Sequence, residues 1–183
     1  MMDKLKETID SVLSKQNLGN DYINIIPDVT SERVMSSIFS MLMDVYNSKM
    51  PFNKLLGIEV TELNIERAVI SIHSREELYG NFMHKILHGG VISSVIDLSG
   101  GIIAQAHALS KMSGLSIGQM MHRFSMMSTL NIRVDYLRPG AGNKFECISK
   151  VVRAGNKVAV VQMEMLNSDN KQISIGTGSY LIG

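Results

Sequence analysis

Asp97 is the only acid in the most apolar stretch of the chain, residues 89–109. A carboxylate in such surroundings must be hydrogen-bonded, hydrated or functional, because an unpartnered buried charge is costly. If functional, it can take a proton from water or attack an electrophilic carbon itself. Just upstream, His88-Gly89-Gly90 puts two glycines where a helix should begin. Backbone N–H groups are free at a helix start, and the positive end of the helix dipole lies there. Glycine lets a ligand come close to that backbone. A base and a set of oxyanion donors are the two requirements of acyl transfer. On these residues alone, a structural aspartate and a plain loop-to-helix turn remain open alternatives.

The segment 88–109 must be one long helix to position these groups. Val91, Val95, Leu98, Ile102 and Leu109 form its apolar stripe. Ser93, Asp97, Gly100 and Ala104 form a second stripe of small residues around the carboxylate. Gly100-Gly101 in mid-helix costs up to about 1 kcal/mol each relative to alanine, which calls for a packing reason. A second helix across a dimer axis is one candidate. The length would also suit a membrane span, but Asp97, Gln105 and His107 argue for a buried helix in a soluble domain.

Around this helix the chain reads as strands. Residues 55–63 and 67–74 precede it, with a turn near Asn64, and a loop runs over 75–87. Four candidates follow at 129–137, 144–153, 157–166 and 171–182. Turn residues separate them, as in Pro139-Gly140-Ala141-Gly142 and Ala154-Gly155-Asn156. In the first, Leu130, Ile132, Val134 and Tyr136 alternate with Thr129, Asn131, Arg133 and Asp135, the pattern of a sheet with one buried face. Short connections favour antiparallel pairing. The fold class is α+β. Ahead of it, 3–16 reads as an amphipathic helix stopped by Gly19-Asn20. A second helix, capped by Thr30 or Ser31 and striped by Val34, Ile38, Met41, Leu42 and Val45, ends at Met50-Pro51. The expected division is a helical extension over 1–50 and a main domain over 51–183, with a further loop and short helix at 111–127.

Composition narrows the function classes. The chain has 183 residues, 45% of them hydrophobic, with a formal net charge of +1. That balance implies no general affinity for nucleic acid or an anionic membrane. A lone cysteine, Cys147, cannot form an internal disulfide. The charged start Met1-Met2-Asp3-Lys4 does not read as a signal peptide, so a cytoplasmic location is expected. The 14 methionines suit core filling and also a flexible apolar ligand.

Taken together, Asn81, His88-Gly89-Gly90 and Asp97 on a long helix resemble the hotdog acyl-CoA thioesterases of the phenylacetate-degradation type. The run Thr129-Leu130-Asn131-Ile132-Arg133-Val134-Asp135-Tyr136-Leu137-Arg138-Pro139 resembles the strand that follows in that family. The resemblance implies a hotdog fold, an antiparallel sheet wrapped around one long central helix. It implies acyl-coenzyme A as substrate, no metal and no cofactor. The site would lie between subunits of a homodimer or a dimer of dimers. Asp97 would be general base or nucleophile, and the Gly89 amide would polarise the thioester carbonyl. Thr129 would help to orient water. Asn81, His88 and Gly90 would bind near the thioester, although Asn81 lies one residue further from the glycine pair than in some relatives. Coenzyme A carries phosphates that Arg138, Arg153 or Lys157 could meet at the sheet rim.

Other motifs carry less. Gly114-Leu115-Ser116-Ile117-Gly118 has the Gly-x-Ser-x-Gly pattern, but only His122 follows it and no acid lies between, so it is read as chance. His84 and His88 have no third ligand nearby, and Cys147 reads as a core residue. Two alternatives to hydrolysis stay open: a non-catalytic acyl-CoA-binding module, and an enoyl-CoA hydratase that would pair Asp97 with His107.

Overall fold

The computed structural model describes residues 32–112 and 117–183. The helix expected over 3–16, the cap at Thr30 or Ser31, and Gly114 and Ser116 lie outside the described residues. Helix α1 spans Glu32–Ser48 and α2 spans Pro51–Leu56. Strands β1, Ile58–Leu63, and β2, Ala68–His73, follow. The expected loop 75–87 holds a 3-10 turn, Glu76–Leu78, and a small hairpin of β3, Tyr79–Asn81, and β4, Ile86–Leu87. Helix α3 runs Gly89–Leu109 and α4 Ile117–Met126. The chain then closes with β5, Ser128–Tyr136; β6, Lys144–Ala154; β7, Val158–Asn167; and β8, Gln172–Leu181.

Six strands form one antiparallel sheet in the order β1-β2-β6-β7-β8-β5. Helix α3 packs against strands from both ends of this sheet, which therefore curls around it. This is the hotdog arrangement. Among the described residues, α3 is the one helix long and apolar enough to cross a bilayer, and it is instead the core helix of the domain. Its buried side chains include Ile92, Val95, Ile96, Ile102, Ile103 and Leu109. Each aliphatic side chain fully withdrawn from water contributes about 1.5–3 kcal/mol. The expected stripe is therefore turned: Val91 and Leu98 are only half-buried, and Ile92, Ile96 and Ile103 take the deep positions. A sheet that wraps a helix buries a wider arc than one stripe, so helical spacing alone does not set the rotation.

The same correction applies to α1. Met35, Phe39, Leu42 and Tyr46 face inward, while Ile38, Met41 and Val45 are half-buried. The cause is a clamp at the helix end. The Asn47 amide donates to Val60 O at 3.1 Å and accepts from Val60 N–H at 2.7 Å, filling the open edge of β1 as a neighbouring strand would. Pro51 stops α1 and also starts α2, occupying a first-turn position where its missing N–H costs nothing. Gly57, at φ 69°, closes α2 in a left-handed conformation suited to glycine. The described part of the extension thus shares one core with the sheet and α3.

Candidate active site

Asp97 projects from the middle of α3 and is half-buried. The Thr129 hydroxyl of β5 donates to its Oδ1 at 2.9 Å. Simple alternation assigns Thr129 to the outer face of β5, and a β-bulge reverses that. Thr129 pairs with Tyr180 and Asn131 pairs with Ser179, leaving Leu130 without a partner. Beyond the bulge Ile132 and Val134 oppose Gly178 and Gly176, the buried face of β8. Thr129, opposite buried Tyr180, shares that helix-facing side, and Leu130 is 52% exposed. A bulge that re-aims one side chain beside a site is a recurrent device.

Tyr180 holds the other side of the aspartate. Its hydroxyl donates to the Asp97 backbone carbonyl at 3.2 Å. A Cβ placed on Gly100 would overlap the Tyr180 phenol, so the packing partner of this mid-helix glycine is Tyr180 within the same chain. At Gly101 a Cβ would only reach ordinary contact, 3.8 Å from the ring. Asp97 and Thr129 open into a cleft of about 160 Å³, whose other walls include Tyr46, Leu98, Gln105 and Ile182. Burial, and secondarily the Asp97 charge, hold the Tyr180 phenol protonated well above its usual range. Burial pushes the Tyr46 phenol up to about 12, against the opposing pull of its bond to Gln105. Both phenols are neutral donors at physiological pH.

A second cluster forms at the start of α3. The His88 ring caps the helix, its Nδ1 accepting from Gly90 N–H at 2.9 Å. The His88 N–H donates to Leu78 O, tying the cap to the preceding turn. The Gly90 amide is therefore already engaged, while the Gly89 amide has no acceptor among the described residues. Tyr136, at the far end of β5, donates its hydroxyl to Gly89 O at 2.9 Å. Gly89, Tyr136 and Arg138 line one open cleft, and the Arg138 guanidinium donates to Gln172 O at 2.6 Å. Asn81 stands on the adjoining hairpin, exposed, its Oδ1 accepting from His84 N–H at 3.2 Å.

The two clusters do not meet within one chain. Gly89 and Asp97 are eight residues apart on one helix, an axial separation of roughly 12 Å. Arg153 and Lys157 are exposed near the β6–β7 turn, at the opposite end of the sheet from Arg138. There Ile182 N–H donates to Lys157 O, which ties the Lys157 backbone to Ile182, a wall residue of the Asp97 cleft. His107 is half-buried roughly 15 Å along α3 from Asp97 and does not line its cleft. Cys147 is buried in β6. Among the described residues no three His, Cys, Asp or Glu side chains gather as a metal site.

Sequence reasoning missed Tyr46, Gln105 and Tyr180. For Tyr180 a signal existed: a glycine in mid-helix implies a bulky neighbour, although nothing local says which one.

A model described as the thioesterase superfamily matches residues 84–174. The medium/long-chain acyl-CoA thioesterase YigI of Salmonella typhimurium strain LT2 is 37% identical over 155 residues, 85% of this chain and 97% of that protein. The chain belongs to the thioesterase superfamily. It is accordingly a thioester hydrolase by class. YigI of Escherichia coli K12 matches this superfamily member to the same extent. A solved Shewanella oneidensis protein, described as related to the thioesterase superfamily, is 35% identical with a TM-score of 0.79, covering 84% of this chain and 100% of that one. The E. coli PaaI protein of the phenylacetic acid degradation operon, 18% identical with a TM-score of 0.63 over 81% and 94% of the two chains, shares the superfamily fold.

Proposed function

We propose that the chain hydrolyses acyl-coenzyme A thioesters to free fatty acid and coenzyme A, in a site completed by two subunits. The observation that carries this reading is the separation of an oriented carboxylate, Asp97 held by Thr129, from a free amide at Gly89. One carbonyl cannot touch both groups across roughly 12 Å of the same helix. A second copy, presenting its own helix start to the Asp97 cleft, resolves this. The outer edge of β5 supports such pairing: it is a nine-residue edge strand that exposes Leu130 and Tyr136.

In this reading Asp97 takes a proton from water as the water oxygen attacks the thioester carbon. The partner's Gly89 amide stabilises the resulting oxyanion at the positive end of its helix. The C–S bond then breaks and the coenzyme A sulfur leaves, taking up the proton held by Asp97. Direct attack by the Asp97 carboxylate would use the same geometry through an anhydride that water then opens. Thr129 fixes the carboxylate rotamer. His88 holds the helix start in shape by engaging the Gly90 amide, and Asn81 lies beside that end. Arg138, which shares a cleft with Gly89, or Arg153 and Lys157 at the opposite end of the sheet, meet the coenzyme A phosphates. Residues 1–50 extend the catalytic domain, 51–183, and a reducing cytoplasm suits its single cysteine. A module that only binds acyl-CoA has no need of an oriented carboxylate, and a hydratase pairing with His107 is too widely spaced. The test is thiol release by the purified full chain across acyl-CoA esters of increasing length. Turnover supports the assignment, and no release from any ester rejects it.

A further inference from the structure

We propose that Tyr46 closes the far end of the Asp97 cleft and sets the acyl length at which the enzyme begins to discriminate; this rests on the hydrolase reading above. The cleft begins at Asp97 and Thr129 and continues along α3 towards Gln105. Its floor consists of Gly101 and Ala104, whose small size leaves a trough beside the helix. At the other end the Tyr46 hydroxyl donates to Gln105 Oε1 at 2.8 Å, bridging α1 and α3. Gln105 lies eight residues beyond Asp97, so the trough is roughly 12 Å long. Its volume of about 160 Å³ matches the ~150 Å³ apolar cavity that admits a benzene-sized guest.

Tyr46 is built as a wall. It is 8% exposed, and the bonds of its neighbours fix it. Asn47 is clamped to Val60 by two hydrogen bonds, and Asn53 Nδ2 donates to Tyr46 O at 3.0 Å. The wall comes from α1, outside the stretch 84–174 matched by the superfamily model, whereas Asp97, Gln105 and Thr129 lie inside it. The helical extension thus supplies a length limit that the matched stretch lacks. Acyl chains that end before Tyr46 fit beneath the bridge. Longer ones must part Tyr46 from Gln105 to pass between α1 and α3.

The experiment compares kcat/KM for acyl-CoA esters from four to sixteen carbons in the wild type, Tyr46→Ala, Gln105→Ala and Gly101→Ala. The wild type should lose efficiency per added carbon beyond the length that reaches Tyr46. Tyr46→Ala and Gln105→Ala should raise the long-to-medium ratio by about 10-fold or more, the discrimination typical of a pocket wall. Gly101→Ala, which fits beside Tyr180, should move the optimum to shorter chains. If Tyr46→Ala does not fold, Gln105→Ala and Gly101→Ala decide. Length profiles superimposable on the wild type in the folded variants overturn the proposal while leaving the hydrolase reading intact. A wild type that releases no thiol at any length overturns both.

Discussion

The Thr129 hydroxyl reaches Asp97 Oδ1 at 2.9 Å only because β5 carries an unpaired residue, Leu130, next to Thr129. The bulge turns a side chain that strand alternation points outward into one that faces α3. The rotamer of the proposed catalytic carboxylate is thereby tied to the backbone of an edge strand.

Thr129→Val keeps the shape and removes the donor. A hydrogen bond to a charged group is worth about 1.5–3 kcal/mol, so kcat should fall by roughly 10-fold to 100-fold with the melting temperature little changed. Thr129→Ser should recover most of the loss. Equal kcat in the valine variant would remove Thr129 from the site.

The Gly89 amide can be deleted with little structural disturbance. His88 is extended, at φ −63° and ψ 136°, as a residue before proline should be, and Gly89 is the first residue of α3. Gly89→Pro should therefore fold and lower kcat by about 10²–10³-fold, the loss expected for one oxyanion donor. Gly89→Ala keeps the N–H, and its Cβ would lie 3.4 Å from the Tyr136 ring, so it should fold and retain much of the activity. Similar activity in the two variants would rule out the amide.

Gly100 and Gly101 should respond oppositely in thermal unfolding. Alanine at 100 collides with the Tyr180 phenol and should destabilise by about 1–3 kcal/mol. Alanine at 101 meets no obstacle and should be neutral or stabilising by up to about 1 kcal/mol, through helix propensity. Equal melting temperatures would contradict the packing described for Tyr180.

Alkaline pH should weaken the fold. Burial raises the Cys147 thiol from 9.0 to about 12 and the Tyr46 phenol from 10.0 to about 12. The unfolded chain releases these protons first, so stability is full below pH 9.0 and falls as pH rises towards about 12. Urea midpoints should decline from pH 9.0 upward. Cys147→Ala should flatten the part between pH 9.0 and 10.0, where of these two groups only the thiol distinguishes the states. An unchanged slope in that variant would refute the assignment.

The long helix and the last three strands were legible because turn residues bound them and periodicity fills them. Asp97 and the glycine pair stood out because an acid and a helix-start Gly-Gly are conspicuous in apolar sequence. The rotation of α1 was not legible, since it depends on Asn47 gripping the edge of β1. Nor was the inward aim of Thr129, because a bulge leaves the alternation of residue types untouched. Tyr46 and Tyr180 come to Asp97 from remote segments, and no local pattern records such meetings.

The most direct test is thiol release from a medium-chain acyl-CoA by the purified wild type and by Asp97→Asn, with circular dichroism to verify the fold. Wild-type turnover should fall by on the order of 10³-fold in a fully folded Asp97→Asn protein. A folded Asp97→Asn protein that turns over at the wild-type rate would contradict the account.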